Sequence, residues 1–282
     1  MAVDILDTHQ HLIYPDRFGY AWTEGIPALT GAFTYTDYLA AAGDGGIAQT
    51  LFMEVDVDDP AWREETRFFS DMARDPATLL AGVIANGRPE APGFDDWLDA
   101  VADMEVVGIR RICHTSPDEL SQGDTFVASV CKLADRNLTF DLCFLERQLP
   151  LAAALARACP DTQFVLDHCG VPTVAAGDLD PWRQHIRDLA ALPNVACKIS
   201  GITAYANPGE GNLDTVRPWL EHCVESFGWD RVVWGSDWPV CNLNSDLATW
   251  IAISRAFVAG EDEANQQKLF HANAARIYGV GG

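Results

Sequence analysis

Ile5-Leu6-Asp7-Thr8-His9-Gln10-His11 sets two histidines one residue apart at the end of an apolar lead-in. In an extended strand, residues i and i+2 project from the same face, so both imidazoles aim at one point. Such a pair suits a divalent metal, or a proton-shuttling couple near neutral pH. It also arises by chance on surface strands and in loops, so its meaning depends on the rest of the chain.

The remainder of the sequence alternates. Residues 12–33 form a polar and aromatic excursion broken by Pro15, Gly19, Gly25, Pro27 and Gly31, and 34–43 read as a short capped helix ended by glycine. Strand-like apolar runs then recur at 48–55, 79–86, 106–112, 138–144, 164–167, 195–200 and 231–236. Helical patterns sit between them at 60–75, 94–104, 125–136, 149–158, 182–192 and 214–227, with 247–259 and a last stretch at 263–278 after the eighth run. Continuous apolar runs joined by amphipathic helices indicate parallel strands buried on both faces. Eight such units predict an α/β fold, a closed (β/α)8 TIM barrel with an extra C-terminal helix, spanning 1–282 as one domain. An open doubly wound sheet would call for a glycine fingerprint after the first strand, where His-Gln-His stands instead.

Composition narrows the function. With 41 acidic against 19 basic side chains the formal net charge is −22, which repels phosphate backbones and argues against nucleic acid and anionic membranes as partners. No apolar run approaches the roughly 18 residues of a membrane span, and no basic-then-apolar leader opens the chain, so a cytoplasmic enzyme is expected. The eight cysteines include no C-x-x-C pair and lie mostly in apolar runs, which predicts reduced, buried thiols.

In a barrel of this kind chemistry gathers at the C-terminal ends of the strands. Those ends carry His9 and His11, Glu54 and Asp56, Arg110 or Arg111 with His114, Asp141, Asp167-His168, Lys198 and Ser200, and Gly235-Ser236-Asp237-Trp238-Pro239. By contrast, His185, His222 and His271 fall in helical stretches and read as surface or packing residues. An aspartate at the end of a buried run has to be paired or hydrogen-bonded to be tolerated, and Asp237 is a candidate general base toward water. Arg110 and Lys198 could hold an anionic or polyhydroxylated substrate or stabilise an oxyanion; equally, either could form a structural ion pair. Glu54 is likewise either a substrate contact, one that would read hydroxyl groups and disfavour an anion, or half of a structural ion pair. Trp22 and Trp238 offer aromatic faces for a sugar ring, although core packing is the commoner use of tryptophan.

In this order these segments resemble the amidohydrolase superfamily, in the amidohydrolase-2 branch that contains sugar lactonases. The resemblance spans nearly the whole chain. It rests on Asp7-Thr8-His9-Gln10-His11, Gly108-Ile109-Arg110, Phe164-Val165-Leu166-Asp167-His168-Cys169-Gly170, Asn194-Val195-Ala196-Cys197-Lys198-Ile199-Ser200-Gly201, Gly235-Ser236-Asp237-Trp238-Pro239-Val240 and Asn273-Ala274-Ala275-Arg276-Ile277-Tyr278-Gly279. It implies a hydrolase that opens a sugar-acid lactone in carbohydrate catabolism. His9, His11 and His168 would bind or polarise the carbonyl and Asp237 would activate water, with Arg110, Lys198, Glu54, His114 and Trp238 as substrate contacts.

No organic cofactor is implied. One Zn²⁺ held by His9, His11 and Asp237 is compatible with the usual three protein ligands of catalytic zinc. Two departures stand out. The fifth run ends Asp141-Leu142-Cys143-Phe144, without the histidine of binuclear relatives, and Glu54 stands where glutamine is usual in such lactonases. The alternatives are an aromatic-pathway lactonase of the pyrone dicarboxylate type, a metal-dependent decarboxylase of the same superfamily, or a binding protein on a degenerate barrel. The small-molecule lactone is the expected partner; a homo-oligomer is left open.

Overall fold

The computed structural model describes residues 2–281. Eight strands form one all-parallel sheet in chain order: β1 Ile5–Gln10, β2 Ile47–Met53, β3 Leu80–Asn86, β4 Val106–Ile112, β5 Thr139–Cys143, β6 Phe164–Leu166, β7 Val195–Ile199 and β8 Val232–Trp234. This is the (β/α)8 barrel expected from the alternation. Strands β1, β5, β6, β7 and β8 are buried along their whole length, which is why they lack an in-out polar alternation.

The seam between β8 and β1 closes only at the C-terminal end of the barrel. There His11 N–H donates to the Trp238 carbonyl at 2.8 Å and Asp237 N–H donates to the His9 carbonyl at 2.7 Å. Buried side chains add to the same join. Thr8 Oγ1 donates to the Trp234 carbonyl, and the Asp7 carboxylate accepts the N–H groups of His9 and Ser236 and the Tyr38 hydroxyl. The residues that close the barrel thus belong to the same histidine and aspartate segments that carry the candidate chemistry.

Helices α1 Tyr35–Ala42, α2 Trp62–Ala73, α3 Phe94–Val101, α4 Asp124–Cys131, α5 Leu149–Ala158, α6 Trp182–Ala190, α7 Leu213–Phe227 and α8 Leu247–Phe257 surround the sheet. Thr34 caps α1 through a reciprocal pair with Asp37, and Gly43 ends it at φ 47°. No helix among the described residues is long and apolar enough to cross a membrane.

The sequence predicts a single helix over 263–278, whereas the chain forms α9 Glu263–Gln267, a π-helical turn Lys268–Ala272 and α10 Asn273–Tyr278. This segment packs at the barrel end opposite the seam closure, where Ala274 and Tyr278 join Leu6, Leu51, Met53, Ile84, Val165 and Val233 in an interior apolar cluster. From there the Tyr278 hydroxyl reaches Asp141 at 2.8 Å.

Two further points refine the expectations. The excursion 12–33 is tied down: Ile13 and Phe33 exchange backbone hydrogen bonds, and Trp22 Nε1 donates to the Val55 carbonyl at 2.7 Å. The reduced-thiol reading holds for Cys113, Cys143, Cys169, Cys197, Cys223 and Cys241, which are free and buried. It fails for Cys131 and Cys159, which form a disulfide. They lie 28 residues apart at the ends of α4 and α5, a juxtaposition made by helix packing and invisible as a spacing motif.

Candidate active site

The two imidazoles at the end of β1 do converge. His9 Nε2 and His11 Nε2 lie 3.1 Å apart, and Asp237 Oδ1 is 3.6 Å from the first and 3.5 Å from the second. Neighbouring groups favour one tautomer of each ring. His11 Nδ1 lies 3.0 Å from the Met53 carbonyl, which can only accept, so the proton sits there and Nε2 presents a lone pair. His9 Nδ1 stands between Asp167 Oδ1 at 3.4 Å and Lys198 Nζ at 3.3 Å, and Arg110 Nη1, which can only donate, lies 3.4 Å from Nε2, so a lone pair is presented there.

Two lone pairs and a carboxylate oxygen therefore meet. Tetrahedral ligands at the usual zinc bond lengths of about 2.0–2.1 Å are separated by about 3.3 Å, inside the span of these three distances. The donor set fits one divalent ion. A third imidazole is close: His168 Nδ1 lies 3.7 Å from Asp237 Oδ2 and 2.9 Å from Ser200 Oγ. His9, His168 and Asp237 also lie close enough together to share an ion.

Glycines make the approach geometrically feasible. A Cβ on Gly201, at φ 61°, would collide with Asp237 Oδ2 and stand 2.9 Å from His168 Nδ1; a Cβ on Gly235 would stand 2.7 Å from His9 Cβ. His168 and Asp237 themselves adopt left-handed backbone at φ 53° and 56°. Non-glycine residues lose conformational energy there, and such strain clusters at functional sites.

Beneath the histidines lies a floor of paired charges. Arg110 Nε donates to Glu54 Oε1 at 2.6 Å and its Nη2 donates to the Glu54 carbonyl at 2.6 Å, leaving Nη1 3.4 Å from His9 Nε2. Asn86 completes the Glu54 carboxylate at 2.8 Å. Lys198 Nζ sits between Asp141 at 2.5 Å and Asp167 at 3.0 Å, and 3.3 Å from His9 Nδ1.

Burial alone would raise Asp167, but the Lys198 ammonium above all holds its carboxyl well below the usual range. Burial likewise works against the charge on Glu54, and the Arg110 guanidinium outweighs it to leave the pKa lowered. Desolvation pushes His9 well below an ordinary imidazole despite the Asp167 charge, so it is neutral at pH 7 and free to act as a ligand.

Above the floor opens a cavity of about 430 Å³, lined among others by His11, Arg110, His114, His168, Tyr205 and Asp237. The sequence-predicted residues His11, Arg110, His114, His168 and Asp237 thus share one space, with His9 against His11, His168 and Asp237 at its base. Three others do not line it. Glu54 and Lys198 are fully buried in the floor, where the ion-pair alternative applies because each has an opposite charge within 2.6 Å. Trp238 is 3% exposed and packs edge-on against Phe33 and Tyr38, so its ring supports the seam.

Sequence reasoning assigned no role to Asp167, Asp56, Cys143 or Tyr205. Asp167 and Asp56 carried a signal, since each stands at a strand end beside a nominated residue. Tyr205 carried none, because it comes from a short helical turn, Ile202–Tyr205, in the loop after β7. Cys143, where a strand-five histidine was missing, lies 3.0 Å from His114 Nδ1, and burial pushes its thiol well up, so it is protonated.

Known proteins resemble this chain over nearly its whole length. The chain is 30% identical to the L-fucono-1,5-lactonase of Burkholderia ambifaria over 98% of its length and 95% of the relative. It is equally similar to the L-fucono-1,5-lactonase of Burkholderia multivorans, over 98% and 96%. A crystal structure of an amidohydrolase from Burkholderia multivorans with bound zinc superposes with a TM-score of 0.89 at 25% identity, covering 99% of this chain and all of that one. The amidohydrolase family model matches residues 6–280, and the chain belongs to that family.

Proposed function

We propose that the protein opens the ring of a sugar-acid lactone by attack of water on the lactone carbonyl, in carbohydrate catabolism. The observation that carries this reading is the Asp237 carboxylate, set within 3.5–3.7 Å of three histidines at the base of an open cavity. The names of the full-length relatives support a lactone as the ring that is opened.

His9, His11 and Asp237 would hold a Zn²⁺ ion, which when bound polarises a carbonyl oxygen and eases deprotonation of water. The chain's own residues do the rest. Asp237 takes a proton from the attacking water as the new C–O bond forms. Arg110 lines the cavity, and its Nη1, which meets His9 and Asp167 rather than Glu54, is the guanidinium nitrogen available to stabilise charge developing on the carbonyl oxygen. When the intermediate collapses, the ring C–O bond breaks and Asp237 returns its proton to the departing ring oxygen. The products are a hydroxyl group and a carboxylic acid, and the acid then ionises. His168, whose Nδ1 is held by Ser200, stands beside the second oxygen of Asp237 at 3.7 Å.

Purified protein assayed on a panel of aldonolactones with a pH indicator should release acid. Asp237→Asn should lower kcat by about 10²–10⁴-fold with an unchanged circular dichroism spectrum. Absence of turnover on every lactone, with stoichiometric zinc bound, would overturn the reading in favour of a decarboxylase.

A further inference from the structure

We infer that Asp56, through an unpaired carboxylate on the cavity wall, selects uncharged, hydroxyl-bearing lactones and rejects carboxylated ones. The inference rests on the lactonase reading and adds the chemistry of the substrate's far end.

Asp56 lies just beyond β2 and lines the cavity, half-buried. Its presentation is fixed by the structure around it. The backbone is left-handed at φ 50°, and its N–H donates to Glu54 Oε2 at 3.0 Å. Glu54 is in turn locked by Arg110 and Asn86, while the neighbouring Val55 carbonyl accepts the Trp22 indole N–H. A strained conformation held from both sides directs the side chain persistently.

No described side chain donates a hydrogen bond or an ion pair to the Asp56 carboxylate. The cations that could neutralise it are engaged elsewhere: Arg110 with Glu54 at 2.6 Å, Arg111 with Glu90 at 2.8 Å and Arg88 with Asp59 at 3.5 Å. Burial, followed by the Glu54 charge, raises its pKa, so hydroxyl donors brought by a ligand would be gained at a site that lacks them. The wall beside it is largely apolar, with Trp22, Val55, Ile112, Leu145 and Val240, and the nearby guanidinium groups are already paired, so a second carboxylate on the substrate would meet the Asp56 charge without an unpaired lysine or arginine to offset it. Glu54, nominated from the sequence as a substrate contact, spends its charge on Arg110, and Asp56 is the carboxylate left to meet a ligand.

The test compares a neutral aldonolactone with its counterpart carrying a carboxylate in place of the terminal hydroxymethyl group. Kinetics are paired with calorimetry on the two corresponding lactams, which bind without turnover. Asp56→Ala should raise KM for the neutral lactone about 10–100-fold while kcat stays within a few-fold. Asp56→Asn should shift selectivity toward the carboxylated compounds by about 10-fold in both kinetics and lactam binding.

Equal effects of both variants on both compounds, or a fall in kcat at constant KM, would overturn the inference. A wild type that binds the neutral lactam selectively but hydrolyses no lactone would overturn the lactonase reading and leave this one standing. Binding of neither lactam would overturn it.

Discussion

Two layers of the barrel interior treat charge in opposite ways. In the floor, Glu54, Arg110, Asp141, Asp167 and Lys198 are at most 4% exposed, and each ionised group faces an opposite charge. A few ångströms higher, Asp56, His168 and Asp237 sit on left-handed backbone facing the cavity, and none has a lysine or arginine partner among the described residues. Buried charges are tolerable only when paired, so the floor must be a closed network. Groups that exchange protons or read a substrate must stay unpaired, and the wall obtains this by backbone constraint. Asp167 links the layers: it faces Lys198 at 3.0 Å, His9 at 3.4 Å and Arg110 at 3.7 Å, with no well-angled hydrogen bond to any of them. It acts on the histidine above through its charge.

The comparison breaks most visibly if the floor loses its cation. Lys198→Met leaves Asp141 and Asp167 facing each other in a dry interior, and removal of one partner from a buried pair costs about 3–5 kcal/mol. Urea denaturation should show a lower midpoint at an unchanged slope. Adding Asp141→Leu should recover part of the loss, because the stranded carboxylate goes too and only the Tyr278 and Thr139 hydroxyls lose an acceptor. A midpoint equal to that of the wild type would mean that the floor is not an ionised network.

The wall depends on backbone, so its sharpest test is steric. Gly201→Ala places a methyl group where Asp237 Oδ2 now lies and 2.9 Å from His168 Nδ1, on a φ that disfavours alanine by about 1–2 kcal/mol. Lactone turnover should fall by about 100-fold or more, since small displacements at the reacting centre weigh heavily, while stability changes by only about 1–2 kcal/mol. If stability collapsed instead, Gly201 would belong with the floor.

How much of this was legible in the sequence obeys the same division. Strand positions were readable because full burial writes continuous apolar runs, and the bounds of β4 coincide with the predicted 106–112. His9, His11, His168 and Asp237 were readable because strand ends deliver side chains to one place. The floor was only half legible. Lys198 and Glu54 look like substrate contacts until the partners from β4, β5 and β6 are known, and those pairings are set by barrel register rather than by local spacing. Trp238 misleads because adjacency to Asp237 in the chain turns its ring toward Phe33 and Tyr38. Tyr205 comes from a loop whose path no periodicity encodes. The π-helical turn in the last helix likewise left no mark in the amphipathic pattern.

The last test concerns the wall's preference for uncharged imidazole, read as a slope in stability against pH. Burial, reinforced by the Arg110 and His168 charges, lowers His114 from an ordinary 6.5 to about 4. The unfolded chain therefore takes up this proton below about pH 6.5, whereas the folded chain refuses it until about pH 4. Between those values the unfolded state binds more protons, so stability falls as pH falls, by at most about 1.4 kcal/mol per pH unit from this one group. Glu54 works lower down, because a depressed carboxyl gives stability that is lost only as pH drops below its unfolded value of 4.5. His114→Gln should flatten the measured stability between pH 6.5 and about 4 by up to one proton and leave the steeper loss below 4.5 in place. An unchanged slope would mean that His114 titrates alike in both states. The cavity wall around His114 would then accept a charged imidazole as readily as water does.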